Sequence, residues 1–104
     1  MYYRLYTGKD NKSHMEEFSP PNNMPAKSVV FRNQPLGTFI DWHTAPRKQF
    51  LVTLEGEVEI GTGDGILHIM GPGDMMLAED ITGQGHTTRV IGNKDRTSIA
   101  IPVE

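Results

Sequence analysis

Short apolar runs alternate with turn-forming residues along the whole chain, and no apolar period of 3.6 residues lasts three turns. Many brief runs with turn signals between them predict an all-β sandwich or barrel. Strands are expected over residues 2–7, 29–31, 37–43, 49–55, 58–60, 66–70, 75–78, 86–91 and 97–103. Asp64-Gly65 is the strongest hairpin signal in the chain. Ser13-His14-Met15-Glu16 has the S-x-x-E form of a capping box, which predicts one short helical turn. Pro20, Pro21 and Pro25 make residues 18–25 a loop. The reading is an N-terminal arm and loop over 1–25, followed by a β-barrel over 26–104.

Side chains alternate faces along a strand, so each strand carries a parity. If His43 points inward, so do Asp41 and Phe39, while Ile40 and Trp42 point away. If Gln49 points inward, so do Leu51 and Thr53, while Phe50, Val52 and Leu54 do not. If His86 points inward, Thr88 and Val90 follow. The strand at 49–55 is then apolar on both faces, and its second face needs a covering layer. Either a neighbouring subunit or the N-terminal arm supplies it, and a homodimer with Phe50, Val52 and Leu54 near the second layer is expected.

Composition narrows the chemistry. At 104 residues the chain is one domain, with hydrophobic residues at 37%. Net charge is −3 and the basic residues are scattered, which argues against nucleic acid as a partner. No apolar run approaches the roughly 20 residues of a membrane span, and the first residues have no export pattern. The absence of cysteine removes disulfides, thiolate metal sites and thiol nucleophiles, and fits a cytoplasmic protein. A metal here would need imidazole, carboxylate or amide ligands.

The motifs follow in two blocks. The first runs from His43 through Ala45 and Gln49 to Gly56. The second opens on Gly71-Pro72-Gly73-Asp74 and reaches His86. Together they resemble the two-part signature of the cupin superfamily, a double-stranded β-helix or jelly-roll barrel. The resemblance covers roughly residues 29–103. Tyr3-Arg4-Leu5-Tyr6-Thr7, the stretch from Asp41 to Arg47 and that from Glu79 to His86 are similar to a group of small bacterial cupins. The family's first motif reads H-x-H-x-x-x-E-x-x-x-x-x-x-G. This chain departs from it with Ala45 at the second His and Gln49 at the Glu.

The resemblance implies that His43, Gln49 and His86 hold a divalent transition metal (Fe, Mn, Ni, Zn or Cu). Gln49 would be a weak neutral ligand, so a metal-free barrel is the competing reading. Asp41 shares the parity of His43 and is a candidate to restore a carboxylate. Arg47, between the His43 and Gln49 strands, is a candidate clamp for an anionic substrate. His43 and His86 are then either metal ligands or an acid–base pair. His68 is read as packed, Trp42 as outward-facing, and Glu79-Asp80 as carboxylates bonded to loop amides. Ser13, His14 and Glu16 are too close in sequence to form a triad. Two functions remain. One is a metal-dependent enzyme acting on a small organic acid or carbonyl compound, of oxygenase, isomerase or lyase type. The other is a non-catalytic small-molecule-binding barrel.

Overall fold

In the computed structural model, which describes residues 1–103, the chain is entirely β. The strands are β1 (Tyr2–Thr7), β2 (Ser13–Glu17), β3 (Val30–Gln34), β4 (Phe39–His43) and β5 (Gln49–Glu55). They continue with β6 (Glu57–Gly61), β7 (Leu67–Met70), β8 (Met75–Ala78), β9 (His86–Ile91) and β10 (Arg96–Pro102). A six-stranded sheet has the order β2-β1-β8-β5-β10-β3, and a four-stranded sheet has the order β4-β9-β6-β7. Consecutive strands β4 and β5 lie in different sheets, as do β7 and β8. The two sheets therefore face each other across one core. Leu5, Val58, Ile60, Met70, Met76 and Ala78 fill it.

Nine of the ten strands stand within a few residues of where alternation places them. The exception is β2. Ser13–Glu17 is not a helical turn but a strand paired antiparallel to β1. The capping signal fails because the Ser13 hydroxyl has another acceptor, the Asp80 carboxylate 67 residues away. Residues 2–7, expected as a strand or extended arm, and residues 13–17 are ladder strands of the larger sheet, and Leu5 is wholly buried. β1 joins that sheet by running parallel to β8.

The outer face of the six-stranded sheet is apolar across four neighbouring strands. Phe31 pairs with Ile99, Ile99 with Val52, and Val52 with Met75. Beside this row Phe50 is buried next to the proline loop, where Pro20, Pro21, Met24 and Ile101 line the same groove. The second layer over Phe50 thus comes from this chain's own residues. Val52 is half-buried, and Leu54 and Phe31 are exposed. No helix among the described residues is long and apolar enough to cross a membrane.

Candidate functional site

Between the sheets lies a cavity of about 70 Å³. That is far below the roughly 300–1,000 Å³ of sites for drug-sized ligands. His43 and His86 line it from the four-stranded sheet, and Gln49 from the six-stranded one. The three side chains singled out in the sequence do converge. Arg47 does not join them. It is exposed in its loop, and the cavity wall does not include it. Its neighbour Lys48 reaches Glu79 instead, at 3.3 Å.

Local backbone explains the pairing of the two imidazoles. β4 and β9 are antiparallel, with His43 opposite His86. The rings lie 4.4 Å apart between centroids and are tilted by 55°. Gly85, just before His86, has φ +78°, and an added Cβ would sit 1.9 Å from the His43 carbonyl oxygen. Only glycine permits this close approach, which sets the two strands' histidines side by side.

The parity expected for β4 is broken. Phe39 pairs with Arg89 and Ile40 with Thr88, but His43 rather than Trp42 pairs with His86. One extra residue stands in β4, a bulge. Ile40 and His43 consequently face the same cavity, although three positions apart. Asp41 is not a restored metal ligand. It is exposed, and its carboxylate accepts from the Trp42 amide at 2.9 Å. Trp42 is exposed. In β9 no bulge intervenes, and His86, Thr88 and Val90 are all buried as alternation requires.

Both imidazoles are held from behind. His43 Nδ1 donates to the Asp41 carbonyl oxygen at 2.7 Å, since a carbonyl can only accept. His86 Nδ1 donates to Asp80 Oδ2 at 2.6 Å. Asp80 is fully buried and also accepts from the Ser13 hydroxyl at 2.6 Å. In its neutral form each ring therefore carries its proton on Nδ1 and presents its lone pair on Nε2, the tautomer of a metal-ligating or proton-accepting histidine. Ser13 bonds the acid rather than the imidazole, so the trio Ser13, Asp80 and His86 is a positioning device and not a nucleophilic triad.

Sequence reasoning missed Asp80. Glu79 and Asp80 do not bind loop amides through their side chains. Glu79 pairs with Arg4 and Lys48, and Asp80 with His86 and Ser13. Burial pushes the Glu79 carboxyl up, but its hydrogen bonds to Arg4 and Lys48 outweigh that and hold it below the usual carboxylate range. The backbone carbonyl of Asp80 accepts from the Ala45 amide at 3.1 Å, tying the His43 loop to the segment behind His86. The clue available in sequence was the neighbouring acid pair six residues before His86, which alone does not say where it points.

Gln49 is 2% exposed, and its Oε1 has no hydrogen-bond partner. Buried carbonyl oxygens are nearly always satisfied, so an orphan one in a cavity wall marks the place of a ligand, ion or water. Ala45 is buried and presents only a methyl group at the position where the family signature has its second His. Among the described residues, no group of three His, Cys, Asp or Glu side chains converges. A metal would depend on the Gln49 carboxamide oxygen as third donor. Two imidazole lone pairs and one unpaired carbonyl oxygen do form a donor set that suits a borderline transition metal. His68, away from this site, is partly buried and packs against Thr62 Oγ1 at 3.1 Å. His14 bonds Asp10 at 2.9 Å.

No protein-family model and no curated protein sequence matches the chain. Solved structures do. A conserved protein with a double-stranded β-helix domain from Klebsiella pneumoniae is 24% identical at TM-score 0.55, over 70% of this chain and 63% of that one. This chain thus spans less than two thirds of that neighbour's length. A protein from Neisseria meningitidis is 19% identical at TM-score 0.55, over 86% and 87% of the two chains. An RmlC-like cupin from Desulfovibrio desulfuricans is 17% identical at TM-score 0.51, over 96% and 79%. Two facing antiparallel-rich sheets, the glycine turns and these neighbours together assign the chain the double-stranded β-helix fold, shared with the RmlC-like cupin neighbour.

Proposed function

We propose that this protein is a small metal-dependent enzyme acting on a small organic acid or carbonyl compound. One observation carries the reading. Two histidines that keep their lone pairs on Nε2 share a cavity wall with the orphan oxygen of buried Gln49. His43, His86 and Gln49 would hold a divalent transition metal, which when bound supplies Lewis-acid polarisation of a substrate oxygen. Asp80 fixes the ring orientation of His86, as carboxylates behind metal-bound imidazoles do. The apolar part of the wall, including Ile60, Leu51 and Met70, limits water around the reacting group.

The second reading is a metal-free barrel that binds a small molecule without chemistry. Ala45 favours it, because a two-histidine, carboxamide site carries no protein charge to hold a cation. Metal analysis separates the two. Protein purified without added metal is assayed beside His86→Ala and Gln49→Leu. Stoichiometric metal in the parent that falls in both variants supports the enzyme. A metal-free parent that still binds small molecules supports the second reading.

A homodimer, in a cytoplasmic setting, completes the proposal. The apolar row of Phe31, Ile99, Val52 and Met75 on the outer sheet face supports it, with Phe31 at 75% exposed. Exposed apolar patches of this kind favour association.

A further inference from the structure

At the far end of β10 from Gln49, the same cavity is lined by Arg32, Gln34, Arg96 and Ser98. Arg96 is 6% exposed. Its Nε and one terminal nitrogen donate to Thr53 Oγ1 at 3.2 and 3.1 Å, and the other terminal nitrogen donates to Gln34 Oε1 at 3.0 Å. A guanidinium has five N–H groups, and three are used here, all on neutral oxygens. Two N–H groups are left without an acceptor among the described residues. No carboxylate among the described residues lies within ion-pair distance of Arg96, and no Asp or Glu lines the cavity. The chain has more acids than bases, yet this wall carries two arginines and no acid.

A buried charge without a counter-charge is costly and is ordinarily paired. Burial, with Arg32 adding repulsion, pulls the Arg96 guanidinium down to about 10. Beside it the Ser98 hydroxyl is buried and has no partner. Unused guanidinium N–H groups, a second arginine and an orphan hydroxyl converge on one face of β3 and β10, where Ser98 pairs with Arg32 and Arg96 with Gln34.

We infer that this end of the cavity is a carboxylate-binding subsite. Arg96 is its anchor, Ser98 a hydroxyl donor, and Arg32 a partly solvated second cation. A carboxylate presents two coplanar oxygens that suit the guanidinium fork. The assignment moves the anion-binding role from Arg47 to Arg96. It deepens the proposed enzyme reading by naming the group that holds the organic acid, and it stands whether or not His43, Gln49 and His86 hold a metal.

The test is titration of chelator-treated protein with acetate, propanoate and succinate at constant ionic strength. Chloride and inorganic phosphate serve as comparators, with binding read by calorimetry and by the arginine Nε–H signals in NMR. Saturable carboxylate binding is expected, with a shifted Arg96 Nε–H resonance. Arg96→Met should weaken it at least tenfold, Ser98→Ala severalfold, and Arg47→Ala not at all. Ser98→Ala removes one oxygen only and decides the matter should Arg96→Met not fold. Equal binding by Arg96→Met or by folded Ser98→Ala overturns the subsite. So does no saturable carboxylate binding, or preference for phosphate or chloride. Because the protein is metal-free in this experiment, failure here leaves the metal analysis above unaffected, and failure there leaves the subsite standing.

Discussion

Removing the Asp80 carboxylate should loosen the site and the fold together. Asp80→Ala leaves the His86 Nδ1–H and the Ser13 hydroxyl buried with no acceptor. Each stranded donor costs about 1–3 kcal/mol, and a buried pair broken from one side about 3–5 kcal/mol. Release of the carboxylate's own desolvation offsets part of this, so a net loss of about 2–5 kcal/mol is expected. In a domain of this size each kcal/mol lowers Tm by about 4–8 °C. The variant should therefore melt at least about 8 °C below the parent. Ser13→Ala removes one bond to the same oxygen and should cost about 1–2 kcal/mol. The two changes share a partner, so the double variant should be less destabilised than their sum by about 1 kcal/mol. Urea unfolding of the parent, both single variants and the double variant measures this. Nitrogen-15 NMR of the imidazole reports separately whether His86 keeps its proton on Nδ1. Additive effects within about 0.3 kcal/mol, with an unchanged His86 tautomer in Asp80→Ala, would refute the reasoning.

Gly85→Ala forces a methyl into the His43 carbonyl at positive φ, and should destabilise by more than about 2 kcal/mol and separate the two imidazoles. Loss of metal binding beyond what global unfolding explains is the sign to seek, and a parent-like melting curve would sink the idea. His68 is pushed down by burial, with Asp64 restoring part of the shift. A base depressed in the folded state binds fewer protons there than when unfolded, so its contribution is present above pH 6.5 and lost as pH falls through the folded value. His68→Gln should flatten the stability–pH curve below pH 6.5, measured by urea titration at several pH values; an unchanged slope contradicts it. Phe31→Glu places a charge in the apolar row and should convert a dimer to monomer in light scattering after size exclusion. A monomeric parent protein at assay concentrations would remove the dimer from the proposal.

Much of the architecture was legible from residue order, because it rests on local chemistry. Strand alternation and glycine or proline turns act over a few residues, so they can be read one segment at a time. The Asp64-Gly65 hairpin and β5, β8 and β9 appear where the pattern puts them. The spacing of His43, Gln49 and His86 also survives folding, and the three line one cavity. The failures have a common cause. A single bulged residue in β4 reversed the parity of Ile40 and Asp41, and such a shift is invisible until a partner strand sets the register. Ser13 looked like a helix cap because its acceptor, Asp80, is 67 residues distant. Arg47 stands beside the motif in sequence yet is exposed and outside the cavity wall, whereas the distant Arg96 lines it.

Residue order alone thus specified the β class, the turns and the three ligand-type side chains. Assembly of the two sheets chose which groups stand behind those side chains and which cation enters the cavity. Local patterns report backbone preference and face. Charge burial, imidazole tautomer and ligand access depend on contacts between strands far apart in the chain, and those exist only once both sheets have closed on the core.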